Sequence, residues 1–213
     1  MERSSRFISL SGLSGVAAGI LALVAVWVAR YIIFPEYYKH PIVPSFPEYH
    51  QPSVIVGSGR SGLSYRGDEE YLQLLIRLIG LAAAVFTAAF LSAFYFTWRK
   101  SKKQGVVLWN PTSRRLTWNM IVPLAAGGLF IAGMLRYHDW RYVAPACLIF
   151  YGLALVNASK YTLTDIRYLG YCEIMAGLIS MLWPGYGLYF WALGFGVLHI
   201  IYGIVMWWKY ERA

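Results

Sequence analysis

Six long apolar stretches constrain this chain more than any other feature of its sequence. A helix needs about 20 mostly apolar residues to cross the hydrocarbon core of a bilayer, which is roughly 30 Å thick. Only 14% of the residues are charged, against about a quarter in a soluble domain. The pattern predicts an all-α integral membrane bundle that forms a single transmembrane domain over residues 1–213. Its six transmembrane spans are predicted at 7–34, 71–98, 116–135, 142–158, 168–183 and 188–208.

The positions of Lys and Arg predict the orientation of these spans. With both termini cytoplasmic, that face carries twelve Lys and Arg residues and the opposite face carries six. Cytoplasmic segments of membrane proteins hold such an excess, so we expect three hairpins in a bacterial cytoplasmic (inner) membrane. The charges flank apolar spans, which argues against a nucleic-acid partner despite the net charge of +9. The densest cluster predicts contact with anionic lipid headgroups: Arg99, Lys100, Lys102, Lys103, Arg114 and Arg115.

Residues 35–70 form the longest predicted connection, a Pro- and Gly-rich outer loop that we expect to cap the bundle. Residues 57–62 have the G-x-G-x-x-G spacing of a dinucleotide site, but the following helix opens with acids and enters the bilayer. The Glu and His residues of the loop have no spacing typical of a closed metal site. The sequence therefore predicts no cofactor and no metal.

Three ionisable residues, Arg77, Glu173 and His199, lie inside predicted spans, where an uncompensated charge costs several kcal/mol. Helical spacing places Glu173 and His199 on faces of small residues, and such faces mark close helix contacts. We expect the two side chains to meet directly or through one water, as a protonatable pair or as a hydrogen bond that fixes packing. The small residues on these faces include Gly177, Gly196 and Gly203.

Further residues are predicted to support this pair or to pack helices. Asn119, Asn157 and Lys160 lie near the same end of the bundle and extend a polar vestibule. Arg77 is expected to pair with an acid of the outer loop. A third set, Ser11, Gly15 and Gly19, recurs at intervals of four and predicts a close helix contact, either internal or between two copies of the chain.

The second half of the chain contains an internal echo. Its matching pairs are Gly128-Leu129 with Gly177-Leu178, Tyr151-Gly152 with Tyr202-Gly203, and Lys160-Tyr161 with Lys209-Tyr210, at offsets of 49, 51 and 49 residues. Duplication of a hairpin would explain the offsets, although apolar sequences also match by chance.

The last hairpin, from Glu173 to Met206, resembles the hairpin unit of the small six-helix bacterial acid-resistance inner-membrane proteins. The match consists of Gly177, Pro184 and Gly203 in their apolar setting, over about 40 residues. The resemblance implies a stress-associated inner-membrane protein.

Two functions remain open at this stage. The first is a non-enzymatic membrane protein that binds or conducts a small solute or proton through the bundle, with Glu173 and His199 at its centre. The alternative is a structural or interaction protein that assembles with a membrane partner or with further copies of itself. An enzyme is not expected, because the spans contain no Ser/His arrangement, paired Asp or multi-histidine cluster.

Overall fold

A computed structural model describes residues 12–33, 61–105, 109–137, 142–183 and 185–210, and all regular structure in these ranges is helical. The predicted all-α class is thus confirmed for the described part of the chain. Two π-helical segments interrupt the α-helical geometry, Ala29–Ile33 at the end of α1 and Ala192–Leu198 inside α6. The six helices are α1 Gly12–Ile33, α2 Ser61–Gln104, α3 Pro111–Arg136, α4 Val143–Ala158, α5 Ile166–Leu182 and α6 Gly187–Tyr210.

Four helices are long and apolar enough to cross a membrane: α1, α3, α6 and the Ile76–Arg99 part of α2. This indicates a membrane protein. With 16 and 17 residues, α4 and α5 are shorter, about 24–26 Å at 1.5 Å per residue. They nevertheless supply most of the buried apolar side chains among the described residues, so they form the centre of the bundle.

The start of α2 corrects the predicted extent of the outer loop. The helix begins at Ser61 rather than at residue 71, so residues 61–70 belong to α2. The last proline of the predicted loop is Pro52, and no later residue removes a backbone donor from the helix. Residues 34–60, which hold the predicted cap, lie outside the described part of the chain, as do residues 7–11 of the first predicted span.

Local signals set the ends of α2 and α3. Gly105 has φ 64°, a left-handed conformation that suits glycine, and it follows the last residue of α2. A capping box begins α3: Asn110 Oδ1 accepts from the Ser113 amide at 2.8 Å, and Ser113 Oγ accepts from the Asn110 amide at 3.0 Å. With Pro111 at its first position, α3 begins several residues before its predicted apolar span.

Glycines bring the central helices into backbone contact. A Cβ placed on Gly152 of α4 would lie 2.6 Å from the carbonyl oxygen of Gly170 on α5. On α1, a Cβ on Gly19 would lie 2.6 Å from the carbonyl oxygen of Gly196, and one on Gly15 would lie 3.3 Å from the Cα of Gly203. The predicted small-residue face of α1 is therefore an internal contact with α6, while Ser11 lies outside the described residues.

The remaining helices lie at the periphery, with α2 packed on α1 and α3 on α4. The paired residues of the internal echo have only partly similar packing. Gly152 and Gly203 both lie at helix crossings, and Gly177 contacts Pro145 and Ile149. Gly128, the counterpart of Gly177, is exposed and has open space around it.

Candidate functional site

Glu173 lies at the centre of the bundle, where α5 faces α4 and α6. Its side chain is 0% exposed. Room for it depends on Gly194 of α6, because a Cβ at that position would collide with Glu173 Oε2 and with Leu148 of α4. The small faces predicted for α5 are buried as well, including Ala176, Gly177 and Ser180.

The structure brings Glu173 and His199 together. Nδ1 of His199 lies 3.3 Å from Oε1 of Glu173, and the imidazole is 8% exposed. The same Nδ1 lies closer to the carbonyl oxygen of Gly194, at 3.0 Å, while Nε2 lies 2.8 Å from the hydroxyl of Tyr151 on α4. Because a carbonyl oxygen only accepts, Nδ1 carries a proton. In the neutral ring, Nε2 therefore accepts from Tyr151.

The π-helical segment of α6 creates this arrangement. Gly194 and His199 are five residues apart, and the ring of His199 binds the Gly194 carbonyl at the end of the π segment. A π turn contains one more residue than an α turn, and such turns occur frequently at functional sites. In this chain it supplies the imidazole with a backbone acceptor beside Glu173.

The carboxylate of Glu173 is not satisfied by this network. Within the described residues, neither Oε1 nor Oε2 has a hydrogen-bond partner. The large majority of buried polar side chains in native interiors are hydrogen-bonded, and a buried unpaired charge is costly. The ion-pair distance to His199 is the only charged contact that Glu173 makes in the described structure.

Aromatic rings close one side of the pair. Phe195 lies one turn before His199, with ring centroids 5.0 Å from Tyr151 and 4.9 Å from Trp191. Ser180 lies on the same helix as Glu173, seven residues away, which corresponds to roughly 10 Å. Its hydroxyl is buried without a partner in the described residues and is too distant to reach the carboxyl group.

A polar cluster lies on the other side of the pair, where α5 begins and α6 ends. Asp165 Oδ2 accepts from Lys209 Nζ at 2.7 Å and from the Tyr210 hydroxyl at 2.8 Å. The hydrogen bond from Lys209 lowers the pKa of the Asp165 carboxyl group. The Asp165 side chain is 25% exposed, so water reaches it. Tyr202 lies between this cluster and His199 along α6, and its hydroxyl is buried without a hydrogen-bond partner in the described residues.

The predicted supporting residues do not join the pair. Asn119 donates to the carbonyl of Arg115 at 2.8 Å, a local bond on its own helix. Asn157 is half-buried, Lys160 is exposed, and neither has a hydrogen bond or ion pair to Glu173 or His199. Arg77 is exposed on α2, and the outer-loop acids predicted to pair with it lie outside the described residues or have side chains that are not described.

Sequence reasoning missed the roles of Tyr151, Tyr202 and Gly194. Tyr151 is 48 residues from His199, and a contact of that kind has no local signal. The internal echo did contain one: it paired Tyr151-Gly152 with Tyr202-Gly203, and both tyrosines pack against the same apolar cluster of Leu155, Ile166 and Leu169. Among the residues described, no group of three or more His, Cys, Asp or Glu side chains is placed to hold a metal ion.

No family model matches the chain, and neither the curated proteins nor the solved structures contain a match to it. The resemblance of the last hairpin to the acid-resistance membrane proteins thus stays a prediction. Of the residues that carry it, Gly177 and Gly203 are buried at helix contacts, and Pro184 lies outside the described residues.

Proposed function

We propose that this chain is a non-enzymatic membrane protein that binds a proton reversibly at Glu173, His199 and Tyr151, inside its helix bundle. The observation that carries the proposal is the state of Glu173, which is fully buried, has no hydrogen bond to either carboxylate oxygen from the described residues, and has one imidazole nitrogen 3.3 Å away. Proton binding also suits the stress-associated role that the resemblance of the last hairpin implies.

A purely structural role explains this geometry less well. A hydrogen bond that only fixes packing satisfies both partners, because an unbonded buried group costs about 1–3 kcal/mol. Here His199 is satisfied by Gly194 and Tyr151, whereas Glu173 is left with an ion-pair contact alone. A carboxyl group in this position loses its charge, and most of its penalty, when it gains a proton.

The packing around Glu173 favours a proton over a larger solute. A single Cβ at Gly194 would already collide with Glu173 Oε2 and Leu148. The carboxyl group thus fills the space between α5 and α6. A proton needs almost no space, so it fits this position better than a larger solute does.

Infrared difference spectroscopy of the purified protein in lipid, titrated with acid, tests the proposal. We expect a carbonyl band from a protonated carboxyl group that appears reversibly in wild type and is missing in Glu173→Gln. Asp165→Asn, which removes an exposed carboxyl group, is the matched control and should retain the band. A band that is unchanged in Glu173→Gln, or absent from wild type, contradicts the proposal.

Conduction of protons across the bilayer is the stronger form of this function. Liposomes with an imposed pH gradient test it: flux in wild type that is lost in both Glu173→Gln and His199→Ala supports conduction. A titratable carboxyl group without flux restricts the function to proton binding.

We further propose that all six helices cross a bacterial inner membrane with both termini cytoplasmic. The four long apolar helices and the Lys and Arg distribution support this topology. The test replaces Cys147 and Cys172 by Ala and adds a single cysteine at Trp109, between α2 and α3, or at Tyr137, after α3; both positions are exposed. An impermeant maleimide applied to intact cells should label position 137 and not position 109.

A surface role is the second candidate, and the ends of α2 and α3 favour it. Their exposed side chains include Arg99, Lys102, Arg114 and Arg115, and Lys102 Nζ lies 5.4 Å from the ring centroid of Trp98. We propose that these cations, with Lys100 and Lys103, bind anionic lipid headgroups, each contributing about 1 kcal/mol. Replacing the four exposed cations by Gln should reduce retention of anionic lipid during purification, and unchanged retention contradicts this proposal.

A further inference from the structure

How a proton reaches Glu173 is a question that rests on the proposed function. Glu173 is fully buried, so it must exchange protons through neighbouring groups. Its sole titratable contact in the described structure is His199, and the other nitrogen of that ring contacts Tyr151. Within the described structure, a path to water therefore leaves from Tyr151.

Tyr202 is placed to continue this path. It lies three residues after His199 on α6, nearly one turn, and its ring packs with that of Tyr151 against a shared apolar cluster. The titratable groups close enough to influence the Tyr202 hydroxyl include Asp165, Tyr210 and Tyr151. Its hydroxyl is buried and has no hydrogen bond in the described structure.

The polar cluster at the end of α6 supplies the contact with water. Asp165 and Lys209 are 25% and 54% exposed, and Tyr210 donates to the carboxylate of Asp165. Tyr210 lies two turns after Tyr202 on the same helix, so the tyrosines follow one face of α6 from the surface inward.

We infer that protons reach Glu173 through Asp165 and Tyr210, then Tyr202, Tyr151 and His199. Each tyrosine hydroxyl accepts a proton on its oxygen and releases its own to the next group. Nε2 of His199 gains a proton from Tyr151, and Nδ1 releases one to Glu173 Oε1. One proton is lost from water and one is gained by the carboxylate of Glu173, and every group between them ends with the charge it had at the start, Asp165 as a carboxylate.

No comparable route leads to the opposite face within the described structure. The rings of Trp191 and Phe195 pack in a row beyond His199, and Ser180 lies seven residues, roughly 10 Å of helix rise, from Glu173 along α5. The α-helical part of α1, Gly12–Val28, contributes no titratable side chain, and Arg30 in its π segment lies over the ring of Tyr189, near the other end of α6. The titratable groups around the path are Tyr151 on α4, Asp165, Arg167 and Glu173 on and beside α5, and His199, Tyr202, Lys209 and Tyr210 on α6.

The test measures how fast the Glu173 carboxyl band appears after a rapid pH jump. Tyr202→Phe should retain the final amplitude and slow its appearance by about a hundredfold, the lower end of what a positioned proton-transfer group contributes. Asp165→Asn should slow it as well. Tyr189→Phe, near the other end of α6, is the matched control and should leave the rate unchanged.

The two proposals fail in different ways. A wild-type rate and amplitude in both Tyr202→Phe and Asp165→Asn overturns the path while leaving proton binding intact. Absence of the band from wild type overturns proton binding at Glu173 and the path with it. Tyr202→Phe removes a hydroxyl without a hydrogen bond in the described residues, so we expect the variant to fold.

Discussion

Helices α5 and α2 each carry one ionisable residue in an apolar segment, and the two residues differ in burial. Glu173 on α5 is 0% exposed, whereas Arg77 on α2 lies exposed on the surface of the bundle. Small residues explain the difference: Gly170 contacts the backbone of α4, but Gly80 of α2 has open space around it. An ionisable residue in an apolar helix is thus buried only where its neighbours let another backbone approach.

Side-chain length adds to this contrast. Arg has a long apolar stem that allows its head group to reach the membrane surface, and Glu lacks one. A lipid-exposed Glu173 would have no route to water, while an exposed Arg77 has one. Arg77 therefore tolerates a peripheral helix, and Glu173 requires the centre of the bundle.

Glycine substitutions in the two helices are expected to have the largest effects on stability. Gly170→Ala places a Cβ 2.8 Å from the carbonyl oxygen of Gly152, so α4 and α5 must separate, and we expect a loss of about 2–3 kcal/mol in the free energy of unfolding. Gly80→Ala meets no atom and should be stabilising by about 0.5–1 kcal/mol. SDS titration in mixed micelles measures both, and equal stabilities for the two variants would contradict this account of the helix contact.

Tyrosine substitutions test the same contrast through hydrogen bonding. Tyr151→Phe leaves Nε2 of the buried His199 without its partner, and we expect it to be destabilising by about 1–2 kcal/mol. Tyr95→Phe on the exposed surface of α2 is the matched control and should have no measurable effect. A shift of the Nε2 resonance of His199, followed by nitrogen NMR, checks that the lost contact is the cause.

Removing the charge of Arg77 on α2 should have a smaller effect on stability. Arg77→Leu alters an exposed side chain, and such changes usually stay within about 0.5 kcal/mol. The same SDS titration measures it. A loss of several kcal/mol would reveal that the partner expected in the outer loop is essential to the fold.

The smallest effect concerns the Asp165 cluster and depends on pH. Hydrogen bonding from Lys209 lowers the pKa of Asp165 below its ordinary value of 3.8, so its stabilising contribution is present above that value. The contribution is lost as the pH falls through the lowered pKa. Lys209→Met should be slightly less stable than wild type at neutral pH and equal to it in strong acid, as measured by thermal unfolding in detergent. A difference that persists in strong acid would assign the effect to packing.

The parts of the fold that depend on local sequence were predictable. Apolar length alone indicated helices and a membrane environment, and the small faces of α5 and α6 indicated which side of Glu173 and His199 lies inside. Helix ends were less accurate, because capping by Asn110 and Ser113 begins α3 before its apolar span does. Hydropathy carries no information on such caps.

The remaining parts of the site depend on tertiary contacts. The π segment of α6 lies where that helix packs on α1, α4 and α5, and the hydropathy pattern of α6 did not predict it. The position of Tyr151 beside His199 follows from the crossing of separate helices. The side chain of Asn119 bonds to the backbone of its own helix, a contact that its position in the sequence does not reveal.

Because of the π segment, the hydrogen bonding of His199 also depends on the number of residues in α6. A π turn absorbs its surplus residue locally, so the residues after it keep nearly the faces they would have on an uninterrupted α-helix. Deleting one residue between Gly194 and His199 would reduce their separation from five residues to four, the spacing of a backbone hydrogen bond in an α-helix, and would withdraw the Gly194 carbonyl from the imidazole. Insertions and deletions in this helix, which composition alone would treat as neutral, therefore change the acceptor to which the imidazole can donate.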